Sequence, residues 1–260
     1  EPVYTDNDYW RFPYFVPSPR LEVQFVLFGY SWGGKSYQPR YVQDLLQTYS
    51  WIRRAYPLAS TPGGANDPSP GFRPRLAWLV YDDQLGAHVN RTSQFCLNNY
   101  PGGVDIDSCA SYYTNGRLAA MRNENGLPPD LFMYGMISDG LKFPRGQEDG
   151  PAISSGPAGV PRPLYPGGGW DTDGSYADFY AAHEIGHTLG RAHPAKGNGC
   201  GHSATDTNYP YNDALIGPGD GSVEGFDAGD PSFEIPRTVY PDTIAHDVMS
   251  YCANQWMSPY

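Results

Sequence analysis

The sequence predicts an α+β fold, and three features of it carry the prediction. Short β-rich apolar runs occur at residues 21–29, 75–83 and 131–137. Helical spacing of apolar residues occurs at 41–56 and again at 175–190. After Gly190 the sequence loses any sustained period and becomes loop-rich. At 260 residues the chain can bury a core as one large domain or as two closely joined lobes. No internal repeat and no composition break divides it, so residues 1–260 read as a single domain, with 1–190 forming an N-terminal part and 191–260 a C-terminal part.

Taken in order, "LEVQFVLFG" (21–29) lies between Pro19 and the Gly33-Gly34 pair, which reads as a strand running into a turn. In "YVQDLLQTYSWIRRAY" (41–56), Val42, Leu45, Leu46, Tyr49 and Ile52 recur at helical spacing. "RLAWLVYDD" (75–83) and "LFMYGMI" (131–137) place apolar residues on consecutive positions, as buried strands do. Between them, 111–125 suits a short helix with Leu118 and Met121 inward. Residues 139–173 are dominated by Gly and Pro, which predicts irregular structure with at most one exposed extended segment near 156–160. A loop of this length is usually functional. "SYADFYAAHEIGHTLG" (175–190) then reads as a helix, with Asp171 or Asp173 as N-cap and Gly190 as a left-handed terminator.

Composition excludes several classes of partner. With 17 Lys+Arg against 28 Asp+Glu and a net charge of −11, the surface repels phosphate backbones, so nucleic acid is not an expected partner. The 31 glycines, 26 prolines and 21 tyrosines suggest long ordered loops carrying aromatic contacts. No apolar run approaches the ~20 residues of a membrane span, and Glu1 opens no signal peptide. The expectation is a mature or excised soluble chain, either a monomer or a domain of a larger protein. Four cysteines without a Cys-x-x-Cys pair favour disulfides over a thiolate metal site, and hence a secreted or cell-surface setting. Of the three connectivities, short loop closure favours Cys96 with Cys109, leaving Cys200 for Cys252. Asn90-Arg91-Thr92 is a glycosylation sequon.

The chemistry concentrates in "AHEIGHTLGRAHP" (182–194). His183 and His187, four residues apart on a helix, lie about 40° apart around its axis, so one face presents both imidazoles to one ion. Glu184 lies about 100° round from His183, within reach of a water on that ion without being a ligand. Gly190 can adopt positive φ and turn the chain so that His193 approaches the same ion. Three imidazoles with an open fourth position form a catalytic zinc arrangement, since a structural site would be closed by a fourth protein ligand. With Glu184 as general base and acid, the chemistry is amide hydrolysis. His88, His202 and His246 are isolated and read as surface or hydrogen-bonded histidines, His202 being the rival of His193. Closely spaced aspartates beside glycine in "GGGWDTDGS" (167–175) and "GGVDID" (102–107) suit oxygen coordination of Ca²⁺. Neither matches an EF-hand loop, and capping or turn roles explain the same residues.

"HEIGHTLGRAH" resembles the long zinc motif of the metzincin clan of metallopeptidases, and "HDVMSYC" (246–252) resembles the clan's Met-turn, with Met249 as its methionine. The resemblance implies a two-lobed fold around a cleft. In it, a twisted mixed sheet and the active-site helix form the N-terminal lobe, and the C-terminal lobe is irregular and loop-rich. It also implies a hydrophobic base under Zn²⁺ at Met249. The segment around Gly156, Ala158 and Gly159 resembles the edge strand that pairs with an extended substrate. Tyr251 matches the tyrosine that astacins and serralysins place near the metal, where it can stabilise an oxyanion. The astacin "His-Glu" continuation is absent, because Pro194 follows His193, and the family within the clan stays open to a pappalysin-like alternative. A Cys200–Cys252 bridge would tie the loop leaving the zinc helix to the Met-turn. The function expected is secreted zinc endopeptidase on extended polypeptide or glycoprotein. A catalytically weak metzincin-like binding module of a larger surface protein, recognising protein or glycan, is the alternative.

Overall fold

The computed structural model describes residues 20–58, 71–100, 105–159, 175–195, 200 and 205–260. Strand β1 (Leu21–Trp32) is the axis of a mixed sheet. It extends beyond the apolar run because Gly33 and Gly34 both take positive φ (58° and 77°), which a two-residue hairpin turn requires, and so return the chain as antiparallel β2 (Lys35–Tyr37). Along the same edge of β1 lie two parallel strands, β3 (Phe72–Pro74) and β4 (Trp78–Tyr81), where the sequence suggested one strand over 75–83. On the other edge come β5 (Phe132–Ser138), parallel to β1, then β7 (Ile153–Ala158), parallel to β5, and finally the two-residue β6 (Gln147–Glu148), antiparallel at the border.

Period-2 alternation sorts the strand residues into two cores. Leu21, Val23, Phe25 and Leu27 of β1, with Tyr134 and Met136 of β5, face α1 (Gln47–Ala55) and α5 (Ala177–Thr188). Val26, Phe28 and Tyr30, with Met133 and Ile137, face α2 (Leu85–Asn90) and α4 (Cys109–Glu124). A wide helical segment at Tyr41–Leu46 leads into α1, which completes the helix expected at 41–56. Helix α4 matches the expected short helix, with Leu118 and Met121 inward, and it packs closely because Gly135 opposes Thr114 and Leu118, where a Cβ would clash. Helices α2 and α3 (Ser93–Asn99) were not anticipated; six and seven residues are too few to display a 3.6 period.

The segment expected to be exposed around Gly156, Ala158 and Gly159 is buried. Gly156 and Ala158 lie in β7, which is buried along its whole length and pairs β5 throughout, β6 pairing only with its Ser154 and Ser155, and Gly159 is buried directly after it. Small residues there serve close packing: a Cβ on Gly156 would meet Tyr134 Oη at 2.5 Å. The border strand is β6.

The C-terminal part carries two small sheets, antiparallel β8 (Glu224–Asp227) with β9 (Thr238–Pro241), and parallel β10 (His246–Asp247) with β11 (Gln255–Trp256). It attaches to α1 through Trp256, which packs edge-on against Trp51 (5.7 Å) and stacks on Tyr240 (4.9 Å), and through the buried ion pair Arg54–Asp227. The disulfides are Cys96–Cys109 and Cys200–Cys252. They are compatible with an extracellular location, and among the described residues no helix is long and apolar enough to cross a membrane. Leu118 is fully buried between α4 and the sheet, so Leu118→Ala should cost about 2–5 kcal/mol. Chemical denaturation of the two proteins would measure that loss.

Candidate metal centre

Helix α5 begins where Ser175 Oγ accepts a hydrogen bond from Ala177 N–H (3.2 Å) and donates to Asp44 Oδ1 (2.7 Å). The N-caps expected at Asp171 and Asp173 lie outside the described residues. Phe179, Ala181, Ala182 and Ile185 bury one face of the helix against the first core. At its other end Gly190 has φ +88°, and two bonds form the reciprocal pair of a Schellman turn: Gly190 N–H to the His187 carbonyl (2.8 Å) and Arg191 N–H to the Gly186 carbonyl (3.0 Å). The chain therefore doubles back at Gly190, and His193 returns to the helix face that carries His183 and His187. Its carbonyl is held there by the amides of Thr205 (3.1 Å) and Asp206 (2.8 Å).

The three Nε2 atoms converge: His183 to His187 3.1 Å, His183 to His193 3.1 Å, and His187 to His193 3.0 Å. In the neutral rings, carbonyl partners assign the protons of the first two. His183 Nδ1 donates to the Val248 carbonyl (2.8 Å) and His187 Nδ1 donates to the Arg191 carbonyl (2.9 Å). A carbonyl can only accept, so both Nε2 atoms present bare lone pairs to each other across 3.1 Å. His193 could donate one proton toward this pair but could not satisfy both. A cation at the centre removes the conflict. A tetrahedral ion about 2.0–2.1 Å from each nitrogen needs nitrogens about 3.3 Å apart, and the observed spacing is within a few tenths of that. The triad could hold a metal ion, and among the described residues it is the one group of three or more such donors that converges.

Glu184 is buried on the adjacent helix position and does not join the triad. Burial pushes its carboxyl well above the usual carboxylate range; the nearby Glu148 adds to this and Arg145 opposes it. A cation held by the histidines would also pull it down. The side chain reaches over Gly146, where any Cβ would overlap Oε1. Tyr251 lies against His183 (5.5 Å between ring centroids) and His193 (5.2 Å). Its hydroxyl accepts a hydrogen bond from Arg145 Nη2 (2.9 Å), while Nη1 of the same arginine donates to Asp105 (2.9 Å). Burial raises the Tyr251 phenol, and Arg145 acts against it. Met249 is fully buried beneath α5 with its sulfur at Gly186, where a Cβ would stand 2.5 Å from Sδ.

Sequence reasoning found the triad, Glu184, Tyr251, Met249 and Gly190, and the structure brings all of them together. It missed Arg145, Gly146 and the ion pair of Arg191 with Asp247 (2.7 Å). Arg145 and Gly146 lie in a Gly/Pro-rich stretch with no motif. Asp247 does stand inside "HDVMSYC", and its position two before Met249 was the available signal. Of the calcium reading, Asp105 and Asp107 are engaged otherwise: Asp105 accepts from Asp107 N–H and pairs with Arg145, and Asp107 pairs with Arg91. The second acidic stretch lies outside the described residues apart from Ser175, as does His202. His88 packs in an aromatic group with Tyr113 and Phe95, and His246 Nδ1 bonds the Ala253 carbonyl.

Comparison with protein-family models, with curated proteins and with solved structures returns no match.

Because the ion would bind the folded chain and not the unfolded one, saturating it should stabilise the protein. About 2.7 kcal/mol is expected at a free ion concentration 100-fold above Kd. Denaturation with added Zn²⁺ and with chelator should show that difference in the native chain and none in His187→Ala, whose two remaining imidazoles cannot define the site.

Proposed function

We propose that the chain is a zinc-dependent endopeptidase of metzincin type that works outside the cell on extended polypeptide or glycoprotein. The observation that carries the reading is the convergence of three Nε2 atoms, two of them bare, beside a buried carboxylate that is not a ligand. A closed structural site would have a fourth protein donor at the same point, and among the described His, Cys, Asp and Glu side chains none joins the three. When bound, Zn²⁺ supplies a Lewis acid that polarises the scissile carbonyl and makes water a nucleophile near neutral pH.

The chain's own groups do the rest. Glu184, buried beside the triad without joining it, accepts the proton of the attacking water and returns it to the leaving amine. Tyr251, already oriented by Arg145, donates its hydroxyl to the oxygen on which charge develops. The extended substrate pairs with the border strand β6 rather than with the buried 156–159 segment, and main-chain hydrogen bonds there supply affinity that does not depend on sequence. Gly146 directly precedes β6 and leaves the space that Glu184 occupies. The irregular residues after Gly190 form the opposite wall, and the Cys200–Cys252 bridge fastens that wall beside Tyr251.

A peptide-library digest with and without chelator should show cleavage only when metal is retained, and it would report the preferred bonds directly. Glu184→Ala should keep one zinc per chain and lose about 10²–10⁴ in rate. Native and Glu184→Ala proteins that both hold zinc and are equally inert on a broad library would replace the peptidase reading with that of a binding module. Tyr251→Phe should lower kcat more than it raises KM, because its contact is made mainly in the transition state. Unchanged kinetics would return Tyr251 to a packing role.

A further inference from the structure

The two carbonyls that fix the imidazole tautomers belong to segments 57 residues apart in sequence, Arg191 after the helix and Val248 in the Met-turn. A single ion pair joins those segments. Arg191 Nη2 donates to Asp247 Oδ2 (2.7 Å), and the Asp247 carboxylate is fully buried. That carboxylate organises its own turn as well: Oδ1 accepts Met249 N–H (2.8 Å), and Oδ2 accepts Ser258 N–H (3.3 Å). The residue whose backbone holds His187 is thus bonded through its side chain to the residue directly before the carbonyl that holds His183.

From this juxtaposition we propose that Arg191 and Asp247 are positioning residues for the metal centre, setting the orientation of two ligands from outside the ligand set. The inference rests on the triad being a metal site, and it does not depend on which reaction the site performs. Ligating imidazoles are oriented by what their second nitrogen bonds, and removing such outer partners typically lowers metal affinity about 10- to 100-fold. Here the partners are backbone carbonyls that no substitution can delete, so the side chains that place them are where the effect can be read.

The test is zinc affinity, measured by competition with a chromophoric chelator on the full chain. Arg191→Met and Asp247→Asn should each weaken zinc binding about 10- to 100-fold. The double variant should be no weaker than the worse single, because both remove the same interaction. Arg54→Met is the control, since it breaks a buried ion pair with Asp227 that touches neither a triad histidine nor a carbonyl holding one. It should lower Tm while leaving zinc affinity within about twofold. If a single variant does not fold, Arg191→Lys, which keeps the charge but not the planar fork, should show a smaller loss in the same direction. Singles that bind zinc as tightly as the native chain or as Arg54→Met would overturn the proposal, and so would losses that add in the double variant. A native chain that binds no zinc at all would instead overturn the metal-centre reading on which it stands.

Discussion

Two imidazole nitrogens without hydrogen, held 3.1 Å apart and facing one another, are what the rest of this structure is arranged to maintain. Left to themselves the rings would rotate apart, and rotation is opposed by a hydrogen bond at the far side of each ring. The His183 bond reaches the turn that carries Met249 and the His187 bond reaches Arg191 at the Schellman turn, so neither ring can turn without disturbing a different part of the chain. Local helix geometry places the two rings on one face, but it does not by itself choose their tautomers.

Helix α5 is poorly suited to stand alone. It has twelve residues with a glycine inside, and isolated helices shorter than about 12–15 residues are marginal even in favourable sequences. Packing forms it instead. Ala181 and Ala182 let the helix approach the sheet, Tyr56 donates its hydroxyl to the Ala182 carbonyl (2.6 Å), and Gly186 admits the sulfur of Met249. Gly186, which weakens the helix intrinsically, brings its buried face close to the turn that carries Met249. An alanine at 186 would improve propensity by about 1 kcal/mol and collide with Met249, which explains why the helix carries a glycine between two of the converging histidines.

What could be read from the sequence follows from how local each signal is. The spacing of His183, His187, Gly190 and His193 encodes its geometry within eleven residues, through helix period and one positive-φ turn, and the structure reproduces it. Strands β1 and β5 and helices α1 and α4 were legible for a similar reason, since their apolar residues repeat over several turns or pleats. The direction of error at 156–159 is instructive. Glycine and proline suggest an exposed edge, whereas Gly156 marks a place where the strand packs too closely on Tyr134 for a side chain. Composition reports that backbone approaches something, and it does not report what. Arg145 was invisible because its role exists only across 106 residues of intervening chain, at the hydroxyl of Tyr251.

The site also collects features that folding alone would disfavour. Glu184 is a carboxyl removed from water with Glu148 nearby, and Arg145 offsets only part of that cost. Tyr134, fully buried and electrostatically coupled to Glu184, has a hydroxyl with no hydrogen-bond partner among the described residues. Glu184 lies next to three imidazoles whose Nε2 atoms converge. The buried carboxylates of Asp227 and Asp247, by contrast, are each matched by an arginine, Arg54 and Arg191. Such a local conflict persists when the surrounding packing outweighs it and when something outside the chain relieves it. A divalent cation is the agent that would relieve the most at once, drawing the three lone pairs inward and favouring the ionised form of Glu184. The strain at this point and the chemistry proposed for it therefore have a common source: the chain concentrates electron-rich groups around a position that could hold a metal ion.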